Sequence, residues 1–473
     1  MARHGVFVSE QATSVGTPVV AQVSIPFVIG AAPVHSAESP AAAGSPILCT
    51  SMDEAKKKLG YSEDWKNYNL CEFMYSHFTL YGCQPVIFCN LLDAATMKTA
   101  VPAADIDVND HAAKLPLDAI NDDSLIVKET GGAGAAYVKG VDYTTFYSGD
   151  SLVVELLEDG EAYEATKISV AYNEVNPEAV TANIVAAGLE NIEKCMSLGT
   201  VPDLICAPGF SHDSTVAAVM ATKAAGINGL FRAKAIIDID SGASGARTYT
   251  DAIAKKASGN LTDLNQIVCW PMLKLGDRKF HMSTQLAGLM ATVDAGNGGT
   301  PHESPSNKAF KTDGMILEDG IPVEQTKAQS DMLNSNGIMT ALAFLSGMTA
   351  WGNYTACYPT NTDVKDYFIP VSRMFDFVGN TIIRTFWGNI DKPMTRRLVD
   401  SIMDTVGIWM NGLVGSGVIL GGRAEFSASE NPLTSLMAGI IRVHIYMTPP
   451  SPMQEADFVL EYDVSYVLSA LGG

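Results

Sequence analysis

His212, Asp213 and Ser214 carry, in a row, the three side chains of a hydrolytic triad. That chemistry needs a base within hydrogen-bond reach of the nucleophile and a carboxylate that orients the base from its far side. Neighbours in sequence cannot be assumed to adopt that geometry. Asp213 also stands just before a run with helical spacing, where a short acidic side chain caps the first turn, so it is read as a cap. The other histidines are isolated. His77, on a helix, and His444, in a strand, are read as satisfied structural residues rather than ligands. No HExxH run or carboxylate cluster suggests a metal, and no acidic pair is placed by spacing as general acid and base. The eight cysteines stand mostly in apolar contexts such as VIFCN and DLICAPG, with no CxxC pair, and Cys83 to Cys89 is too wide for a zinc knuckle. Buried free thiols are expected.

Two glycine-rich runs invite a phosphate-binding reading. Gly131-Gly132-Ala133-Gly134 lacks the Lys-Ser/Thr and the following helix of a P-loop, which leaves a flexible hairpin tip. Gly412 to Gly422 (GLVGSGVILGG) has GxGxxxG spacing but follows a helix instead of opening one. It is read as a turn with close backbone passage before a strand over Arg423–Ser427. No catalytic, cofactor or metal residues are therefore expected. The formal charge of −21 over 473 residues speaks against direct nucleic-acid binding, which needs a basic face to displace counterions. No apolar run approaches the ~18 residues of a membrane span, and residues 1–14 show no signal-peptide pattern, so a chain made and folded in a cytoplasm is expected.

The elements that would position any site read as follows. Residues 1–23 form a small-residue arm in which Gly5 to Ser9 can make a short strand. Ser24–Gly30 and Gln84–Leu92 are continuous apolar strands, separated by helices Met52–Leu59, capped by Ser51, and Leu70–Tyr81, ended by Gly82. From 105 to 176 the pattern changes to short alternating strands between polar linkers, an inserted β domain. From 177 to 325 strands alternate with helices: Ala179–Ser197, Leu204–Ala207, Asp213–Ala225, Ala233–Asp240, Thr248–Lys256, Gln266–Leu275 and Ser283–Val293. That rhythm predicts a doubly wound parallel sheet. A last α+β block, 326–448, opens with a helix over Thr326–Asn334 and strands Ile338–Phe344 and Met348–Trp351. It then carries two amphipathic helices, Val364–Trp387 and Met394–Leu413, with Pro370 kinking the first or marking its true start.

The tail, 449–473, is the unusual part. After a strand over Ile440–Met447 come Pro449, Pro450 and Pro452. A second strand follows, in which Phe458, Leu460, Tyr462, Val464 and Tyr466 alternate with Glu461, Asp463 and Ser465. Prolines cannot donate to a ladder, so they uncouple this strand from the body before it. Two homes fit it: an edge of its own domain, or a sheet edge of another copy.

The residues also resemble a known family. Met282–Phe310 (MSTQLAGLMATVDAGNGGTPHESPSNKAF), Leu333-Asn334-Ser335-Asn336-Gly337-Ile338, Trp351-Gly352-Asn353 and Phe368-Ile369-Pro370-Val371-Ser372-Arg373-Met374-Phe375 are similar, in this order, to segments of contractile tail sheath proteins of myophages, R-type bacteriocins and related injection systems. The terminal double strand, Gly439–Tyr446 and Pro449–Tyr462, resembles theirs too, with Ala456-Asp457-Phe458 in place of Ala-Glu-Phe. The resemblance implies an α/β core of subtilisin-like type without a triad, split over residues 24–104 and 177–325. It also implies an outward-facing β insertion (105–176), an α+β C-terminal domain (326–448) beside an inner tube, and two arms. Val6, Phe7, Val8, Phe458, Leu460, Tyr462 and Val464 would join neighbouring subunits, with hinges at Pro18, Pro449, Pro450 and Pro452. Implied partners are further copies in stacked hexameric rings of a helical homopolymer, the inner tail tube protein, and baseplate and terminator proteins. A subtilisin-like or nucleotide-binding enzyme is the alternative. A tube protein would be much shorter and mostly β.

Overall fold

The computed structural model describes residues 18–344 and 347–471. The first strands and helices are β1 (Pro26–Gly30), β2 (Ile47–Cys49), α1 (Met52–Leu59), α2 (Asn69–Met74) and β3 (Val86–Asn90). α1 has the bounds its sequence predicts, since the Ser51 hydroxyl accepts from the Glu54 amide. Gly60 ends it at φ +72°, and a Cβ there would lie 2.3 Å from the Pro33 carbonyl oxygen. α2 is shorter than expected because a π-helical turn over Tyr75–Tyr81 takes its second half.

The insertion holds β4 (Lys98–Asp107), β5 (Ala112–Pro116), β6 (Ile126–Glu129), β7 (Tyr143–Ser148), β8 (Ser151–Leu156) and β9 (Lys167–Val175). They form two antiparallel three-stranded sheets, ordered β4-β9-β6 and β5-β8-β7. Their inner faces share one apolar cluster that includes Leu115, Val127, Leu152, Val154, Ile168 and Val170. The strands begin at residue 98, earlier than the expected 105.

The α/β rhythm resumes with α3 (Ala182–Gly188), β10 (Leu204–Cys206), α4 (Ser214–Ala225), β11 (Lys234–Asp238), α5 (Tyr249–Ser258) and β12 (Gln266–Cys269). β13 (Met272–Leu275), β14 (Arg278–Phe280), α6 (Met282–Gly296), β15 (Gly314–Ile316), α7 (Lys327–Asn334), β16 (Ile338–Phe344) and β17 (Gly347–Trp351) follow. The strand expected over Gln266–Leu275 is two strands, broken at Pro271, which has no amide hydrogen to give the ladder. Eight strands make the main sheet, ordered β17-β16-β12-β11-β10-β1-β3-β2, parallel except for β17 and β2 at its edges. This sheet extends past residue 326, where a separate block was expected to begin. Both faces are covered, so alternate residues enter different clusters. Phe27, Ile29, Ile87 and Ile237 lie on one side, and Val28, Phe88, Ile236 and Ile267 on the other.

The remaining elements are α8 (Val364–Tyr367), α9 (Ile369–Phe386), α10 (Arg396–Gly415), β18 (Gly421–Glu425), α11 (Leu433–Met437), β19 (His444–Thr448) and α12 (Ser465–Ala470). Pro370 sits in the first turn of α9, where its missing donor is harmless, and so marks a start rather than a kink. α9 and α10 bury Met374, Phe377 and Val378 against Val406, Met410 and Leu413. Arg396 opens α10, and its guanidinium lies 3.7 Å from Asp400 one turn on, both exposed.

Candidate inter-subunit surface

The residues of triad type do not meet. Asp213 caps α4, accepting from the Thr215 and Val216 amides at 2.8 and 3.2 Å. A second polar cluster, at the end of β11 and the start of α6, was not foreseen. There the Ser211 and Ser283 hydroxyls donate to Asp238, which also accepts from the Ser283 amide at 2.9 Å. Both hydroxyls are fully buried and point into a carboxylate, so neither is held as a nucleophile by a base. His281 beside them faces Glu72, with Nδ1 and the backbone amide each 2.7 Å from a carboxylate oxygen. Burial lowers this imidazole's affinity for a proton, but Glu72 outweighs it and the pKa stands at about 9. Among the described residues no histidine pairs with a serine or cysteine, and no cluster of metal-ligating side chains forms.

His444 is paired with Glu430, as a structural residue would be. His77 is not satisfied: it is fully buried, both ring nitrogens lack a partner, and its ring stacks on Phe73 at 4.3 Å. Burial alone pulls its pKa down to about 3. Gly131, Gly132 and Gly134 form an exposed turn with positive φ, and Gly417 turns the chain from α10 into β18. All eight cysteines are free.

The N-terminal segment is held firmly at its root. Val6, Phe7 and Val8 lie outside the described residues. Beyond Pro18, the Val19 and Ala21 amides donate to Thr385 and Thr381 on α9, each at 3.0 Å, and Ala21 is buried in the α9–α10 cluster. Ser24 adopts φ +55° and donates to Asp294 at 2.5 Å, while the Ile25 amide donates to Asp203 at 2.7 Å. Arg373, nearly fully buried on α9, ties these together. It reaches Asp294 at 2.5 Å, the Ser24 hydroxyl at 3.1 Å and Asp203 at 3.4 Å. Sequence reading missed this network. Its only local signal is a lone arginine on the apolar face that Val371, Met374 and Phe377 define.

The C-terminal end is the opposite case. β18 and β19 form a two-stranded antiparallel hairpin, Gly421 opposite Thr448 and Glu425 opposite His444, so among the described residues each strand keeps one unpaired edge. Pro449 to Asp463 have no regular structure. The strand expected over 458–466 is absent, and α12 begins at Ser465. The side chains explain why. Phe458, Leu460, Tyr462 and Val464 are 84, 95, 80 and 64 % exposed, and Val459 on the other face is 77 % exposed. A strand forms only against a partner edge, and among the described residues none is brought to the ribbon. Most of its exposed large apolar side chains lie after residue 386, among them Trp387, Ile390, Leu420, Leu433 and Met437. Among the described residues no helix is long and apolar enough to cross a membrane.

A mixed α/β body with exposed apolar side chains gathered in its last described stretch offers surface for contact with other protein. The relatives narrow that reading. The tail sheath protein of Burkholderia phage BcepMu is 26% identical over 417 residues, 83% of this chain and 84% of the relative. The major tail sheath protein of Serratia phage KSP20 is 26% identical over 233 residues, 48% of this chain and 56% of the relative. The fold matches the helical sheath of the anti-feeding prophage in its contracted state, at TM-score 0.58 and 15% identity over 98% of this chain and 100% of that one. It matches the PVC extracellular contractile injection system sheath, also contracted, at TM-score 0.58 and 14% identity over 98% and 99%. No protein-family model matches the chain. In sequence and in fold this chain resembles contractile tail sheath proteins.

Proposed function

We propose that the chain is the structural subunit of a contractile tail sheath, with no catalytic centre of its own. Copies polymerise around an inner tube, in stacked hexameric rings, and contraction drives that tube through a target envelope. The energy is that of an extended lattice relaxing to one that buries more surface, without nucleotide. The main sheet and its helices act as the subtilisin-like body, the insertion faces outward, and α9, α10 and the β18–β19 hairpin lie toward the tube. Val6 to Val8 and Phe458 to Val464 join neighbours, with Pro18 and Pro449, Pro450 and Pro452 as hinges. Baseplate and terminator proteins template and cap the polymer, which assembles in a bacterial cytoplasm and works on a virion tail or extracellular particle.

One observation carries this reading: a ribbon whose apolar side chains Phe458, Leu460, Tyr462 and Val464 are exposed follows a two-stranded sheet whose outer edges are unpaired among the described residues. Each supplies what the other lacks, and between copies they form a continuous sheet. Electron microscopy of the expressed chain, alone and with its tube protein, tests it. Striated hollow cylinders are expected. Dispersed particles under all salt conditions, with the tube present, would refute it.

A further inference from the structure

The buried charges at the root of the N-terminal segment do not balance. Three carboxylates, Asp203, Asp294 and Asp376, meet two cations, Arg373 and Lys234. Lys234 is committed to Asp376 at 2.9 Å and to the Asn265 side chain at 3.2 Å. Asp203 and Asp294 must therefore share Arg373, which sits much closer to Asp294. All five side chains are buried or nearly so, and a cavity of about 10 Å³, the size of one water, touches Asp203, Arg373, Asp376 and Lys234. With so little water at hand the surplus negative charge is only weakly screened, and the natural remedy is a proton on the less well-paired acid.

We propose that this junction is a proton-operated latch, in which protonation of Asp203 tightens the hold of residues 19–25 on α9 and the main sheet. Neutral Asp203 still accepts the Ile25 amide through its carbonyl oxygen, while its repulsion with Asp294 disappears. The facing groups are Arg373 and Asp376 from α9, Asp294 from α6, Lys234 from β11 and the Ser24 hydroxyl of the segment itself. Burial raises the Asp203 pKa to about 6 although Arg373 pulls it down. An opened root would return the carboxyl toward its ordinary 3.8, so the latched form binds the proton more tightly and acid favours it. At pH 5.0 the difference favours the latched form about tenfold more than at pH 7.5.

Hydrogen exchange on the unassembled full chain, corrected for intrinsic rates, reads this directly at the amides of Val19, Ala21 and Ile25. Their protection should rise about tenfold from pH 7.5 to pH 5.0. Asp203→Asn should abolish that rise by removing the titrating group. Asp294→Asn should abolish it by leaving Arg373 to Asp203 alone, which lowers the Asp203 pKa out of the window. If one variant fails to fold, the other decides. Equal wild-type protection at the two pH values, or a rise that persists in either folded variant, would overturn the latch. The measurement involves no polymer, so its outcome is separate from that of the sheath reading.

Discussion

Deleting Asp457–Gly473 should leave a folded chain that cannot polymerise. The described side chains it removes are mostly exposed, Leu460 at 95 % and Phe458 at 84 %, so the body loses little packing. Its unfolding free energy should change by less than about 1 kcal/mol, the range of surface substitutions. The effect on assembly is different in kind. Seating Phe458, Leu460, Tyr462 and Val464 on a neighbour gains at most about 1.5–3 kcal/mol each, or about 6–12 in all. Ordering the roughly eight residues that carry them costs about 1–2 kcal/mol apiece, or about 8–16. A lone ribbon on a lone hairpin is near break-even, and its ladder hydrogen bonds add only about 0.5–1.5 kcal/mol each. Polymer therefore forms only when many ribbons seat together, and losing them should abolish it rather than weaken it by degrees. Thermal unfolding together with pelleting and electron microscopy separates the two effects. Two results would refute the reasoning: normal cylinders from the truncated chain, or a stability loss above about 3 kcal/mol. The second would mean that the ribbon belongs to its own body.

Other predictions concern the buried charges. His77 has a folded pKa of about 3 against an ordinary 6.5, so the unfolded chain binds the proton first and stability falls with acid through that window. The loss from this group should reach about 2 kcal/mol by pH 5. His77→Phe should remove that share and raise stability at neutral pH by about 1–3 kcal/mol, since two orphaned ring nitrogens disappear; denaturant midpoints at pH 5 and 7 check both. His281 runs the other way. With a folded pKa of about 9, its pairing with Glu72 contributes fully below pH 6.5 and is lost as pH rises through 9, a change of about 3 kcal/mol. Glu72→Gln should flatten that alkaline decline, and an equal slope in both proteins would count against the ion pair. Arg373→Met strands Asp203 and Asp294 without their cation, and should lower the unfolding free energy by about 3–5 kcal/mol in urea titrations.

The parallel sheet was legible because its strands are apolar on both faces and its helices carry their own start signals, as Ser51, Asp213 and Thr326 each cap a first turn. β4 was not read, because Lys98–Asp107 is exposed on both faces and shows no alternation. Ala136–Gly140 (AYVKG), whose residues read as one of the insertion's short strands, makes only isolated bridges at Ala136 and Lys139. The ionic network was invisible for a different reason: Arg373 stands 79 residues from Asp294 and 170 from Asp203, and no local pattern links such separations. In the tail, the period of two predicts a strand that the structure does not form, since a pattern states what a segment can pair with and not where the partner is. The isolated chain therefore shows irregular backbone where the sequence shows alternation.

The two ends of the described chain are held by different forces, and that difference bears on how a lattice of such subunits could move without coming apart. At the N-terminal root the anchor is a desolvated guanidinium with two carboxylates, backed by two threonine hydroxyls on α9. Removing the shared guanidinium would strand two buried carboxylates and cost several kcal/mol at once, so the root moves with its own body. At the C-terminal end the body's last fixed element is β19, and Pro449, Pro450 and Pro452 separate it from the ribbon. A seated ribbon would belong mechanically to the neighbour's sheet, joined to its own body by a segment that makes no ladder. Rotation of one body against the next would then load the proline segment and leave the shared sheet intact. Shortening that segment by two residues should accordingly permit assembly and impede contraction, whereas Leu460→Asp, which spoils the seat itself, should prevent assembly in the first place. Cylinders of the shortened chain that contract normally under a chemical trigger would place the hinge elsewhere.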